Sequence, residues 1–223
     1  MKRLREALAR SPFIARVAPF VIFVTLTALQ GKLGPNSQYW IYAAKTLVGA
    51  FLIWAMWPIV TEMRWALSWE AVAIGVFVFV FWVGLDPYCP KWFKIDGVWN
   101  PNLAYGAGSP LAFGFIIFRI IGSSTVVPHM EEVFFRSFLY RYIIKVDFLS
   151  VPPNQFDLRS FLITSTLFGI EHGNQWLAGI LCGFCYQWLV IRKNRLGDAM
   201  TAHAISNLLL GIYVAWKEQW QFW

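Results

Sequence analysis

Glu131-Glu132-Val133-Phe134-Phe135-Arg136 sets two adjacent carboxylates and a guanidinium between stretches apolar enough to span a bilayer. An ionisable group inside a membrane segment costs several kcal/mol unless it is paired or wetted, so such a group marks a functional site by default. Working outward, two more polar pairs sit in apolar runs downstream. These are Phe168-x-x-x-His172 and His203-x-x-x-Asn207.

The rest of the chain agrees with a membrane reading. Its 223 residues are 58% hydrophobic and only 14% charged, with a mean hydropathy of +0.52. A soluble domain carries about 25% charged residues, so the surplus apolar surface must face lipid. The length and the lack of repeats or low-complexity linkers predict a single transmembrane domain over 1–223. Within it, 1–108 holds N-terminal helices and an interfacial loop, and 109–216 holds the helices that carry the three polar motifs. A net charge of +7 fits basic cytoplasmic edges. No Lys/Arg stripe interleaved with aromatics lies beyond the first residues, which argues against a nucleic-acid partner.

The apolar runs predict an all-α polytopic integral membrane bundle of about seven to eight transmembrane helices around a polar intramembrane cavity. Lys2, Arg3, Arg5, Arg10 and Arg16 precede an apolar run at 17–29 with no small-x-small cleavage site, an uncleaved first span with its N-terminus in the cytoplasm. Further spans are expected at 39–60 and 71–85. The Pro-, Gly- and Trp-rich segment 86–108 reads as a loop at the interface, where Trp92 and Trp99 are comfortable. An apolar helix at 111–127 is expected to stop at Pro128. Helices at 129–146, 159–172, 175–191 and 198–216 come next, several of them shorter than the roughly 20 residues of a full crossing. The basic clusters at the N-terminus, at Arg141/Lys145 and at Arg192–Arg195 should lie on the cytoplasmic side, while the loop 61–70 decides little. Cys182 and Cys185 share one helical face and read as small core residues. Lys45 and Arg119, lone cations in apolar runs, are expected to snorkel or to pair with an acid.

Residues four apart on a helix share a face. Glu132 can therefore pair with Arg136 while Glu131, about 100° around, points elsewhere. His203 and Asn207 share a face, and so do Phe168 and His172, whose ring the phenyl group can position. Three helices could then deliver carboxylates, an imidazole, and an imidazole with an amide. That set suits hydrolysis, with a carboxylate taking a proton from water and imidazole and amide donors stabilising an oxyanion. Each pair also has a structural reading: a helix ion pair, a core histidine, an interhelical clamp. Glu171 beside His172 is a further candidate. A Glu/His/His set can bind zinc, but no H-E-x-x-H occurs.

In this order, the three motifs resemble the CAAX protease and bacteriocin-processing family of intramembrane glutamate endopeptidases. Pro128, three residues before Glu131, resembles the break ahead of that family's Glu-Glu helix. The resemblance covers about 111–210, and none of it lies in the first hundred residues. The wording of 134–142 and the ending 219–223 resemble the bacterial CAAX prenyl protease-related subgroup associated with exosortase-type protein sorting. The resemblance implies an endopeptidase cutting near the C-terminus of a membrane-associated protein or peptide. It implies Glu131 as the base with His172, His203 and Asn207 as the oxyanion site, and Glu132 and Arg136 as their supports. It implies no metal and no cofactor, and a bacterial plasma-membrane location. Two rival classes stay open: a non-catalytic scaffold, immunity or sorting partner of the same fold, and a small proton-relaying transporter. No inverted repeat supports the latter.

Overall fold

The computed structural model describes residues 2–92 and 98–223. Part of the expected interfacial loop, 93–97, lies outside the described residues. The described chain is helical: α1 (Lys2–Ala9), α2 (Pro12–Leu29), α3 (Ser37–Met56), α4 (Trp69–Leu85), α5 (Pro101–Tyr105), α6 (Pro110–Glu132), α7 (Tyr140–Ile144), α8 (Leu158–Glu171), α9 (Trp176–Lys193) and α10 (Gly197–Lys217). Between α6 and α7 the residues Val133–Leu139 form a π-helical stretch.

Side-chain caps set where the helices begin. Ser11, Ser68, Ser109 and Asp157 accept hydrogen bonds from the backbone N–H of Ile14, Ala71, Ala112 and Ser160. Each satisfies one of the donors that a helix start leaves free. With Pro12 and Pro110 at first-turn positions, these caps start α2 and α6 one to five residues before the apolar runs do.

Five helical stretches are long and apolar enough to cross a membrane: Pro12–Leu29, Ser37–Met56, Trp69–Tyr88, Pro110–Ile144 and Gly197–Lys217. At 14 residues α8 is too short to do so alone, and α9 ends in Arg192 and Lys193. These seven form the bundle. The heaviest packing joins α8 to α9 and α10 to α4 and α6, with α3 between α2 and α6. Exposed large apolar side chains, among them Leu47, Phe77, Val80, Phe113, Ile121 and Ile212, coat the outside. Charged groups such as Glu132, Arg136 and Asp198 are enclosed within. That inside-out distribution is what lipid demands.

The expected stop at Pro128 does not occur. Helix α6 runs through it, and the helical stretch continues to Ile144. Proline removes one i→i−4 bond, but in a membrane neighbouring groups compensate for the loss. Here Asn207 of α10 donates to the Ser123 carbonyl at 2.9 Å, one residue before the carbonyl that Pro128 leaves without its helical donor. Thr125 donates its hydroxyl to the Ile121 carbonyl at 2.8 Å.

Both expected environments for the isolated cations and for Trp99 are also revised. Lys45 is buried rather than snorkelling. Neither it nor Arg119 has an acid at ion-pair distance among the described residues. Trp99 is buried against Tyr39 and Trp223 because its ring completes an aromatic cluster under α5. Trp92 stacks on Trp176 at 4.5 Å.

The three basic clusters gather on one face. Glu62, in the turn between α3 and α4, accepts from Arg16 Nε at 2.9 Å and from Arg141 Nη2 at 3.0 Å, and Ser137 completes the knot. Glu70 reaches Lys193 at 3.0 Å. Burial raises the Glu62 carboxyl pKa, but the Arg16 charge and the Ser137 hydroxyl outweigh it and hold the group below its usual value. The loop 61–70 thus ties these clusters together.

Candidate active site

The site forms where the α6–π junction meets α8, α9 and α10. A π turn bonds i→i+5 and so carries one residue more than an α turn. Tyr140 N–H accordingly donates to the Phe135 carbonyl. The extra residue rotates the C-terminal part of the helix by about 100°. Arg136 faces the bundle interior, and Ser137 faces Arg16 and Glu62 on the other side.

Glu132 is fully buried and held from two sides. Its Oε2 lies 3.2 Å from Arg136 Nε, and its Oε1 accepts from His203 Nδ1 at 2.9 Å. Arg136 in turn lies over the Phe168 ring at 4.1 Å. None of the three guanidinium nitrogens of Arg136 has a hydrogen-bond acceptor among the described residues, and Glu132 is its sole counter-charge at ion-pair distance among them. Glu131 points the other way around its helix. Its Oε2 lies 3.9 Å from His203 Nε2 and has no hydrogen-bond partner among the described residues. His203 therefore stands between the two carboxylates, one at each ring nitrogen.

The His203 ring is clamped further. Tyr186 stacks on it at 5.1 Å with a 19° interplanar angle. The Tyr186 hydroxyl bonds Ser206 at 2.7 Å, and Ser206 donates to the His203 carbonyl at 2.8 Å. Neither Tyr186 nor Ser206 carried a sequence signal. A lone tyrosine in an apolar helix and a serine one turn from an imidazole look like ordinary core residues.

His172 caps α8, and its Nδ1 sits 2.6 Å from the Phe168 carbonyl. A carbonyl only accepts, so Nδ1 carries the proton and a neutral ring keeps its Nε2 lone pair free. Phe168 and Trp82 flank the ring at 4.7 and 5.2 Å. The position of His172 depends on a close helix crossing. A Cβ on Gly179 would meet Gly169 Cα at 2.9 Å and His172 Cβ at 3.3 Å. Small residues let α8 and α9 approach that far.

A cavity of about 200 Å³ is lined by Phe168, His172, Tyr186, His203, Ser206 and Asn207, with Lys45 and Arg119 in the same wall. The expected site residues are thus brought together in two layers. His172, His203 and Asn207 meet the cavity, whereas Glu131, Glu132 and Arg136 do not line it and contact His203 or each other. Glu131 has His203, not His172, as its partner at ion-pair distance. Asn207 commits one amide hydrogen to Ser123. His129 bonds its own helix at the Thr125 carbonyl and stays outside the cluster, whereas Glu171, exposed at the C-terminal end of α8, lies within electrostatic range of Glu131, Arg136 and Lys45. Cys182 lines the cavity as a buried free thiol. Among the described residues, no three His, Cys, Asp or Glu side chains are grouped to hold a metal ion.

Residues 112–209, from α6 through most of α10, match the family described as type II CAAX prenyl endopeptidase Rce1-like. This stretch is similar to that family. No curated protein and no solved structure matches the chain. The matched stretch contains Glu131, Glu132, Arg136, His172, His203 and Asn207, and with the five long apolar helical stretches it makes the chain a membrane protein similar to CAAX protease-like hydrolases over 112–209. It points to CAAX-type intramembrane protease activity on membrane-associated substrates. Helices α1 to α5 lie before the matched stretch.

Proposed function

We propose that the protein is an intramembrane endopeptidase that hydrolyses a peptide bond near the C-terminus of a membrane-associated protein or peptide, using water activated by Glu131. The single observation that carries this reading is His203 held between Glu132 at Nδ1 and Glu131 at Nε2, in the wall of a membrane-level cavity. A water molecule hydrogen-bonded to both Glu131 Oε2 and His203 Nε2, at about 2.8 Å from each, fits their 3.9 Å separation.

In the reaction, the water oxygen attacks the peptide carbonyl carbon as Glu131 takes its proton. The tetrahedral oxyanion is stabilised by the remaining amide hydrogen of Asn207, and His203 Nε2, the acceptor nitrogen in this tautomer, takes the second hydrogen bond of the attacking water and fixes its direction. Glu131 then returns the proton to the leaving amine as the C–N bond breaks. His172, with its Nε2 free, orients the water or the leaving group. Glu132 and Arg136 fix the tautomer and direction of His203. No step uses a metal or a cofactor.

Positive charge on one face supports a cytoplasmic N-terminus in a bacterial plasma membrane. The resemblance to the protein-sorting subgroup supports an exosortase-type setting. The test is purified protein in vesicles with membrane-anchored peptides. Glu131→Gln should abolish cleavage, a loss of at least roughly 10²-fold, while leaving the fold intact. Full turnover by that variant would remove Glu131 from the chemistry.

A further inference from the structure

Two cations in the cavity wall have no use in the chemistry above. Lys45 comes from α3 and Arg119 from α6, and both line the cavity with His172 and His203. The Lys45 ammonium donates to Thr27 Oγ1 at 3.0 Å and sits 4.7 Å from the centroids of Phe23 and Tyr42. The Arg119 guanidinium is boxed by Trp99 at 4.3 Å, Tyr42 at 4.8 Å and Trp223 at 5.1 Å. Its side chain donates no hydrogen bond to a described residue, and neither cation has a carboxylate at ion-pair distance among the described residues. Aromatic faces attract a cation but do not neutralise it. Glu131 and Glu171 act on Lys45 only from beyond ion-pair distance, so two like charges in one cavity with no acid in its lining remain costly. An anion arriving there gains from both.

Resting on the proteolytic reading, we infer that Lys45 and Arg119 form the subsite that receives the C-terminal α-carboxylate of the substrate. The chemistry matches. Arg119 offers a planar fork suited to two carboxylate oxygens, and Lys45 adds a compact charge. The aromatic box holds the fork in place. Position matches too. Arg119 and Glu131 are twelve residues apart on one helix, about 18 Å at 1.5 Å per residue. An extended peptide covers that in about five residues, and side-chain reach shortens the span. The cut therefore falls within about five residues of the C-terminus, and the terminal carboxylate acts as the ruler.

The test uses the full chain in phosphatidylcholine vesicles, where no anionic headgroup competes. Lipid-anchored synthetic peptides with randomised C-terminal residues are supplied as free acids and as matched C-terminal amides. Wild type should process the acid pool with kcat/KM roughly tenfold or more above the amide pool, chiefly through KM. Arg119→Gln with Lys45→Gln should bring the two pools to within about twofold of each other, whereas Arg119→Lys should keep part of the preference. Equal processing of both pools by wild type overturns the inference and leaves the protease reading standing, whatever the variants do. A preference unchanged in the double variant overturns it as well. Cleavage of neither pool overturns the proteolytic reading and this subsite with it.

Discussion

Glu132→Gln separates the structural and chemical parts of the site in one atom. Glu132 faces Arg136 Nε at ion-pair distance, 3.2 Å, and accepts from His203 Nδ1–H at 2.9 Å. Glutamine is neutral and has one acceptor oxygen and an NH2 that must face one of these two groups. Whichever way the NH2 turns, a guanidinium of 1% side-chain exposure loses its counter-charge. Removing one partner of a buried pair costs about 3–5 kcal/mol. At roughly 2–4 °C per kcal/mol for a chain of 150–250 residues, the unfolding midpoint in detergent should fall by at least roughly 6 °C. If the NH2 faces His203, the ring proton is driven to Nε2 and the imidazole takes the wrong tautomer, which in a comparable triad lowers kcat about 10⁴-fold. Adding Arg136→Met removes the stranded charge and fills its place with apolar volume, so stability should return towards wild type while activity stays lost. Thermal unfolding and peptide turnover are measured on the same preparations. A single variant within about 1 kcal/mol of wild type, or a double variant no more stable than the single, refutes the picture of Glu132 as the sole counter-charge of Arg136.

The geometry fixes four further outcomes. Glu62 has a folded pKa held below its ordinary 4.5, so the stability it supplies is present above that ordinary value and is lost as pH falls through the folded value. Acid titration of the unfolding midpoint should therefore drop below about pH 4.5 in wild type and flatten in Glu62→Gln, and parallel curves would contradict this. Gly169→Ala puts a Cβ 2.3 Å from Ile180 Cγ1 and 2.6 Å from the Trp176 carbonyl, so it should destabilise by about 1–3 kcal/mol and misplace His172. Gly114→Ala, with nothing within 4 Å, should be neutral or stabilising in the same unfolding assay. Asn207→Asp turns an amide donor into an acceptor opposite the Ser123 carbonyl, and should lower both stability and kcat with little change in KM.

What the sequence made legible was whatever depends on spacing along one helix. Glu132 with Arg136, Phe168 with His172, and His203 beside Asn207 all come from the helical repeat. The apolar runs likewise located the bundle helices. What stayed hidden depends on groups from different helices meeting. Nothing in the turn holding Glu62 signals partners 46 and 79 residues away at Arg16 and Arg141. Tyr186 and Ser206 clamp His203 through a stack and two hydrogen bonds that no local pattern encodes. Pro128 misled because the rule for proline assumes that the helix stands alone. Here α6 is packed along α10 and runs on through Pro128. Lys45 and Arg119 misled for a related reason. Snorkelling presumes a side chain facing lipid, and both face a cavity.

The π stretch Val133–Leu139 carries two charge networks on one continuous helix, Arg136 with Glu132 on one side and Ser137 with Glu62 and Arg16 on another. Arg141 donates to the Ser137 carbonyl at 2.5 Å and hydroxyl at 2.7 Å, which anchors the lower network to the C-terminal half of the stretch. Arg136 and Phe135 anchor the upper one through the Phe168 ring. Phe134, between them, stacks on Phe20 of α2 at 4.0 Å, so the N-terminal helix outside the Rce1-like stretch braces the turn that aims Arg136. Phe20→Ala should thus cost stability, as a buried aromatic does at about 3–5 kcal/mol. It should also lower turnover in the molecules that remain folded, because the support of Arg136, and through it Glu132 and His203, loosens. Unchanged kcat per folded molecule would show that α2 packs against the site without positioning it.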